Sequence, residues 1–383
     1  MAVLTAVFAL GCLAYLFVDR QLLQGLRKLV KSADRLDAFP QVTVLIAARD
    51  EEFSLPRTLD ALLAQTYPPD KTQILIINDR SEDGTAKVLQ RYAEANPDRI
   101  EFLTVSEVPP NLSPKKHALL RGLEKARGEW IVTTDADCRM GPKWLTALSG
   151  DFREGTGMIL GMTCYEEPDA GFNAGQGSRA LEFASYGIVS AALVGLGFPV
   201  HANANNLAYR RKAFDQASAF RKHGHIVSGD DDFTLQEIHA TGTWGIGFCA
   251  SPDALVRTAP PETWEHFWEQ RKRWASKCGL YRPKQAIFLA AIFLFYSSIP
   301  AFLIAGIWNP FFFWLGSGIF LLKTGADYAV MRRGLSVLGL SPLMRFFPLT
   351  ALLHIPLILG AVLWGTFAGF TWKGQRFAKK IES

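Results

Sequence analysis

Acidic residues and one basic, aromatic cluster follow one another along this chain in an order that suits chemistry on a diphosphate. They are Asp79 in IINDRSEDGT, Asp135 and Asp137 in TTDADC, the run Asp230-Asp231-Asp232 in SGDDDF, and Gln270-Arg271-Lys272-Arg273-Trp274. Two carboxylates as close as Asp135 and Asp137 repel each other unless a cation or hydrogen-bond donors stand between them. Their hard oxygens suit Mg2+ or Mn2+, which bind diphosphate oxygens and keep several waters. The three acids after Gly229 are partly explained by the dipole of a helix starting there. Burial among acids also raises a carboxylate pKa toward that of a working general base, and Asp231 is taken for that role.

Asp79, in a strand-to-helix turn, is placed to hydrogen-bond a base or ribose. Its other reading is to cap the next helix, which Ser81 and Asp83 are equally able to do. Glu51 in AARDEEF has the same two readings. Gln270, Arg273 and Trp274 fall at i, i+3 and i+4, on one face of a helix. Trp264, Phe267, Trp268, Ala275 and Cys278 fall on a face rotated away, as in a helix lying on a membrane. A guanidinium such as Arg273 stabilises a departing diphosphate, and Trp274 offers a flat platform for a sugar ring. Lys115 and Lys116 open the helix before Asp135, where a lysine either reaches phosphate or is simply solvated. The seven histidines lack metal-ligand spacing and are read as structural or surface residues.

The elements that must hold these residues alternate. Apolar runs at 42–47, 74–77, 102–105 and 130–134 read as strands. Helices are expected from Ser54 onward (Ser54 as cap, Pro56 in the first turn, Leu55, Leu59, Leu62 and Leu63 at helical spacing), at 85–95 and at 114–126. The fold class is therefore α/β, with a mainly parallel sheet flanked by helices. Ligands of such sheets bind beyond the carboxyl ends of the strands, and Glu51, Asp79 and Asp135 all lie just past such ends. Residues 169–199, rich in Gly and Ala, are either a packed helix or a segment grazing a membrane.

Of 383 residues, 49% are hydrophobic and the mean hydropathy is +0.10, too apolar for an ordinary soluble enzyme. Residues 1–18, 286–308 and 346–370 carry no Asp, Glu, Lys or Arg, and a shorter run, 311–322, continues past Lys323. A bilayer core takes about 20 apolar residues per helix. The basic residues after the first run (Arg20, Arg27, Lys28, Lys31, Arg35) predict a retained anchor with the chain emerging into the cytoplasm. The layout expected is a membrane helix at 1–19, a basic linker at 20–40, the α/β domain at 41–257 and an interfacial helix at 258–284. Membrane or interfacial helices at 285–372 and a basic tail at 373–383 complete it. Keeping that tail inside requires an even number of crossings after the domain.

The net charge of +5 is concentrated beside the apolar runs, from Arg271 to Lys284, at Arg332 and Arg333 and from Lys373 to Lys380, as topology signals and contacts to anionic lipid would be. No basic and aromatic platform for nucleic acid is present. Five cysteines without CxxC spacing fit a reduced compartment and neither a disulfide frame nor a zinc site.

From about Val42 to Trp274 the chain resembles the membrane-embedded glycosyltransferases of family 2, among them cellulose, chitin and hyaluronan synthases and ceramide glucosyltransferase. Their GT-A domain carries D, DxD, (T/E/G)(E/D)D and Q(Q/R)xRW signatures, specific in combination. The resemblance implies that Glu51 and Asp79 contact the nucleoside, and that Lys115 and Asp135, with Asp230, hold the donor. It makes Asp137 the metal ligand alongside Asp135, and Asp231 the general base. Gln270, Arg273 and Trp274 would line the acceptor end and the diphosphate. Asn206-Leu-Ala-Tyr-Arg210 looks like the family's NxAYR segment, with Ala204-Asn205 where Gly-Ala often stands. Ala47 and Asp50 stand where proline and asparagine are usual.

The implied reaction is one inverting displacement on a nucleotide-activated α-sugar, UDP being the usual carrier, at the cytoplasmic face of the inner membrane. Few helices flank the domain for a polymer channel, so a single transfer to a membrane lipid is expected. Processive polysaccharide synthesis is the alternative, and a non-catalytic scaffold the more distant one.

Overall fold

The strands expected from apolar runs are present and carry their polar ends to one edge of a sheet. A computed structural model describes residues 2–29, 39–372 and 375–377. Residues 30–38 of the basic linker, with Lys31 and Arg35, lie outside the described residues. So does the basic tail, apart from 375–377. The chain divides into a sheet unit, Arg27–Asp169 with Tyr186–Pro260, and a helical unit, Met1–Leu26 with Ala170–Ser185 and Pro261–Ser383.

After the long helix α1 (Ala2–Leu29) come β1 (Val42–Ala48), α2 (Leu55–Leu63), β2 (Thr72–Asp79) and α3 (Thr85–Ala95). Then follow β3 (Ile100–Val105), α4 (Pro114–Leu123), β4 (Trp130–Thr133), β5 (Cys138–Met140) and α5 (Trp144–Ser149). The chain continues through β6 (Thr156–Gly161), β7 (Thr163–Tyr165), α6 (Ala174–Gly195), β8 (Leu207–Arg210), α7 (Arg211–Ala217) and α8 (Ala219–His223). The sheet unit closes with α9 (Asp230–Ala240), β9 (Gly245–Cys249) and β10 (Val256–Thr258).

Its main sheet has the order β3-β2-β1-β4-β8-β6-β9, and β5-β10-β7 form a second, small sheet. In the main sheet only β8 runs antiparallel to its neighbours, so the sheet is mainly parallel, as expected. Every residue of β2 is buried, as in a central parallel strand covered by helices on both faces. At the edge, β3 is buried only at its ends, Ile100 and Val105, and alternates between half-buried and exposed positions between them. The core runs from Val44, Ile46 and Ile76 through Leu59 and Leu62 of α2 to Trp130 and Trp144.

The Ser54 cap is corrected. Ser54 stands at the N-cap, but its hydroxyl donates to the Glu51 carbonyl (3.4 Å) and carboxylate instead of capping an amide. Its own backbone is already helical there, which turns the oxygen away from the first-turn amides.

In the helical unit, α10 (Trp264–Ala275) is followed by α11 (Pro283–Ala305), α12 (Pro310–Val337), α13 (Phe347–Phe367) and a hairpin of β11 (Phe370–Trp372) and β12 (Gln375–Phe377). Tyr15, Tyr296, Ile299, Phe302, Ile319 and Ile355 form its core. Lys323, which interrupts an apolar run in sequence, leaves α12 unbroken. Its ammonium is fully buried and donates to Asp327 (2.5 Å) and to His354 Nδ1 (3.1 Å). Tyr15 in turn donates to Asp327 at 2.6 Å.

Among the described residues, α11 and the segment Ser341–Phe367 are long and apolar enough to cross a membrane. Ile287, Leu294, Ile304, Leu352 and Phe367 are exposed along them, unlike the side chains of a soluble core helix. The end of α13 returns to α10. Trp364 packs edge-on to Trp268 with ring centroids 4.9 Å apart, and the Thr371 amide donates to the Glu269 carboxylate at 2.6 Å.

Candidate active site

The order β2-β1-β4 sets three strand ends side by side, and Asp79, Glu51 and Asp135 follow from them. The loops after β1 and β2 are laced together. The Glu82 amide donates to Asp50 (2.8 Å), the Glu52 amide to Asp83 (3.0 Å) and the Gly84 amide to Glu52 (2.8 Å). Asp50 and Arg80 both adopt positive φ, 53° and 55°, a conformation that Asp tolerates better than most residues. Asp50 therefore suits its turn. Asp79 does not cap α3: the N-cap is Gly84, and Asp83 before it accepts from the Thr85 amide at 2.9 Å. Asp79 is buried, and its carboxylate takes the Arg80 guanidinium at 2.8 and 3.4 Å.

Lys115, in the first turn of α4, draws the acidic signatures together. Its ammonium lies 2.8 Å from Asp135 and 3.5 Å from Asp230. Burial alone would lower its pKa, but Asp135, Asp230 and Asp231 overcome that and raise it, so the group stays charged. Asp137 accepts a hydrogen bond from Thr258 at 3.1 Å. Burial first, then Asp135 and Glu51, push its carboxyl up to about 6 against the Thr258 bond. Thr258 was missed in the sequence. It comes in because β10 pairs with β5 so that Thr258 faces Cys138, beside Asp137.

The acids at the start of α9 are oriented by backbone amides. Asp231 accepts from its neighbour's amide at Asp232 (2.8 Å) and from Ala204 (3.1 Å), and Asp232 accepts from Ala202 (2.8 Å). The segment before NLAYR, which departs from the Gly-Ala pattern, thus supplies these donors through its backbone. Asn206 anchors the segment: its buried amide donates to the Met162 and Ala254 carbonyls (both 2.8 Å) and accepts from Trp144 (3.0 Å). Gly229, just before the run, has φ +83°, a turn that favours glycine.

Gln270, Arg273 and Trp274 lie on α10 of the helical unit. Arg271, read from sequence among the topology charges, is instead a buried organiser of this helix. Its guanidinium pairs with Glu182 of α6, Nε to Oε1 at 3.0 Å and Nη2 to Oε2, with both side chains almost fully buried. It also donates to Gln270 (2.6 Å) and lies 4.4 Å from the ring centroids of Phe267 and Trp274. Trp274 stacks on Phe183, and Arg273 lies over the Trp372 ring.

Among the described residues, no group of three or more His, Cys, Asp or Glu side chains is placed to hold a metal ion by itself. The donor set still fits a hard cation held only partly by the protein, because Asp135 and Glu51 crowd their charges around the buried Asp137 carboxyl. The sign of the pH effect follows. The folded state holds the Asp137 proton more tightly than the unfolded chain, so this group favours folding increasingly as pH falls from about 6 toward the ordinary value of 3.8. A cation must displace that proton. Mn2+ binding in the presence of a nucleoside diphosphate is therefore expected to weaken as pH falls below about 6. The loss should approach about tenfold per pH unit. Asp137→Asn removes that pH dependence and weakens Mn2+ throughout, as titration calorimetry from pH 5 to 8 would read; a flat profile in the parent protein contradicts it.

Parallel strands ending in acidic loops, with an antiparallel strand beside them, make this the α/β GT-A fold. Residues 43–217 match the family described as Glycosyl transferase family 2. The chain is 26% identical to the "Probable glycosyltransferase YdaM" of Bacillus subtilis over 265 residues, 65% of this chain and 58% of that protein. It is 23% identical to the "Beta-monoglucosyldiacylglycerol synthase" of a Synechocystis species over 240 residues, 62% of this chain and 47% of that protein. The chain thus spans about half the length of these relatives. The structure resembles the mannosyltransferase PcManGT of Pyrobaculum calidifontis, determined with GDP-Man and Mn2+. The TM-score is 0.53 at 20% identity, over 92% of this chain and 98% of that one.

Proposed function

We propose that the protein is an inverting glycosyltransferase that moves a sugar from a nucleotide sugar to a lipid acceptor at a membrane. One observation carries this reading: Lys115 joins Asp135, a donor-side acid, to the run containing Asp231 through a single ammonium. Asp79 and Glu51 hold the nucleoside, and Lys115 meets the donor phosphates. Asp230 helps to fix Lys115. Asp231 takes the proton of the acceptor hydroxyl as its oxygen attacks the anomeric carbon from the face opposite the leaving group. Asp137 and Asp135 would hold Mg2+ or Mn2+, which when bound offsets charge on the leaving diphosphate. Gln270, Arg273 and Trp274 keep the acceptor-end and diphosphate roles that the resemblance implies.

The family match and the fold shared with a protein that binds GDP-Man and Mn2+ support the donor class. The exposed apolar sides of α11 and α13, together with the similarity to a glucosyldiacylglycerol synthase, support a lipid acceptor. The return of α13 and the hairpin to α10 supports an even number of crossings between them.

Purified protein with Mn2+, membrane lipid extract and a panel of labelled UDP- and GDP-sugars is expected to yield one labelled, chloroform-soluble product. A polymer ladder would favour processive synthesis instead. Absence of label in any product, with every donor, would overturn the reading.

A further inference from the structure

Lys116, next to the donor-side Lys115, is fully buried in the first turn of α4. Its ammonium donates to three backbone carbonyls of one short segment: His223 (2.8 Å), Ile226 (2.6 Å) and Ser228 (3.3 Å). An ammonium carries three N–H donors and no acceptor, so these three carbonyls match its full donor capacity. The same segment is stitched to the start of α4 by the Ser113 amide, which donates to the Gly224 carbonyl at 2.8 Å. Gly224 lies so close to Leu112 and the Phe220 carbonyl that a Cβ there would sit 2.5 and 2.4 Å from them. Lys116 also lies over the Phe233 ring, which stacks on His223. One residue after Ser228 comes the left-handed turn at Gly229, and then the acid run.

We propose that Lys116 is a positioning residue for the general base: by gripping residues 223–228 it sets where α9 begins, and so where Asp230 and Asp231 stand against Lys115 and the amides of the 202–204 segment. The inference rests on the glycosyl-transfer reading above for its catalytic meaning, though not for its structural one. Adjacent lysines thus divide the work. Lys115 contacts the acids, and Lys116 holds the backbone that presents them. A displacement of about 1 Å in such a group is enough to cost about 100-fold in rate.

The test compares the full-length wild type with Lys116→Met, which keeps an unbranched side chain one atom shorter and removes its donors. Two readouts are taken. In transfer assays, kcat is expected to fall about 10- to 100-fold while the KM for the donor changes by less than about threefold. In amide hydrogen exchange, the Ala204 and Asp232 amides that donate to Asp231 are expected to exchange at least about tenfold faster, with β1 and β2 unchanged. Unchanged kcat together with unchanged exchange overturns the proposal. So does an equal loss of donor binding and turnover, which would mark a general loss of structure. Should Lys116→Met fail to fold, Lys116→Gln, which retains an amide donor, is read in the same way, and failure of both to fold overturns the positioning role. If the wild type transfers no sugar, the functional reading fails by itself, while the exchange data still decide on Lys116.

Discussion

Asp231→Asn lowers transfer by about 100- to 10,000-fold while leaving the donor Kd within about twofold, the range expected when a positioned general base is lost. Both oxygens of Asp231 already accept a backbone amide, from Asp232 and Ala204, so the carboxylate is held in place before any acceptor arrives. Asparagine keeps the shape but offers only one acceptor oxygen. It cannot take up a proton in the attack, and its NH2 faces one of the two amides as a donor against a donor. Donor binding is spared because Lys115 still has Asp135 at 2.8 Å. The measurement is single-turnover transfer with labelled donor, paired with nucleotide binding on the same preparation. Transfer within about tenfold of wild type would remove Asp231 from the mechanism.

Glu182→Gln is expected to destabilise the helical unit by about 3–5 kcal/mol, because it removes the carboxylate charge paired with the buried Arg271 guanidinium. Arg271 is only 2% exposed and Glu182 only 1%, so water does not screen or replace the missing partner. The loss extends to function, since Arg271 also holds the Gln270 carbonyl and lies over Trp274. Replacing both partners, Glu182→Leu with Arg271→Met, should recover most of the stability, because an apolar pair of similar volume has no desolvation penalty. It should not recover the orientation of Gln270. Thermal unfolding of the detergent-solubilised protein, followed for the single and double variants, checks both statements. Equal stability of Glu182→Gln and wild type would show that the pair is dispensable.

Much of the site was legible because its signals are local. A strand buried on both faces is a run of apolar residues, as in ILII of β2, and the polar residue that ends it marks the edge of the sheet. Asp79, Asp135 and the run at 230–232 were therefore found by type and by position in the chain. Lys115 was named for the phosphate side, and it stands beside Asp135 and Asp230.

The misreadings share one feature: each concerns a charged or polar group whose partner lies far away in sequence. Lys116 looks solvated beside Lys115, yet its carbonyl partners are 107 to 112 residues distant. Arg271 looks like a membrane-flanking charge, yet its carboxylate is 89 residues away. Thr258 carries no signal at all until β10 pairs with β5. The sequence alone determined which elements form and which residue types stand at their ends, because backbone propensity and burial pattern act over a few neighbours. Only the tertiary structure decided which of its charges are solvated and which hold the molecule together. A charged side chain has one sequence signature in water and in the interior, and the cost of burying it depends on partners that local sequence does not contain.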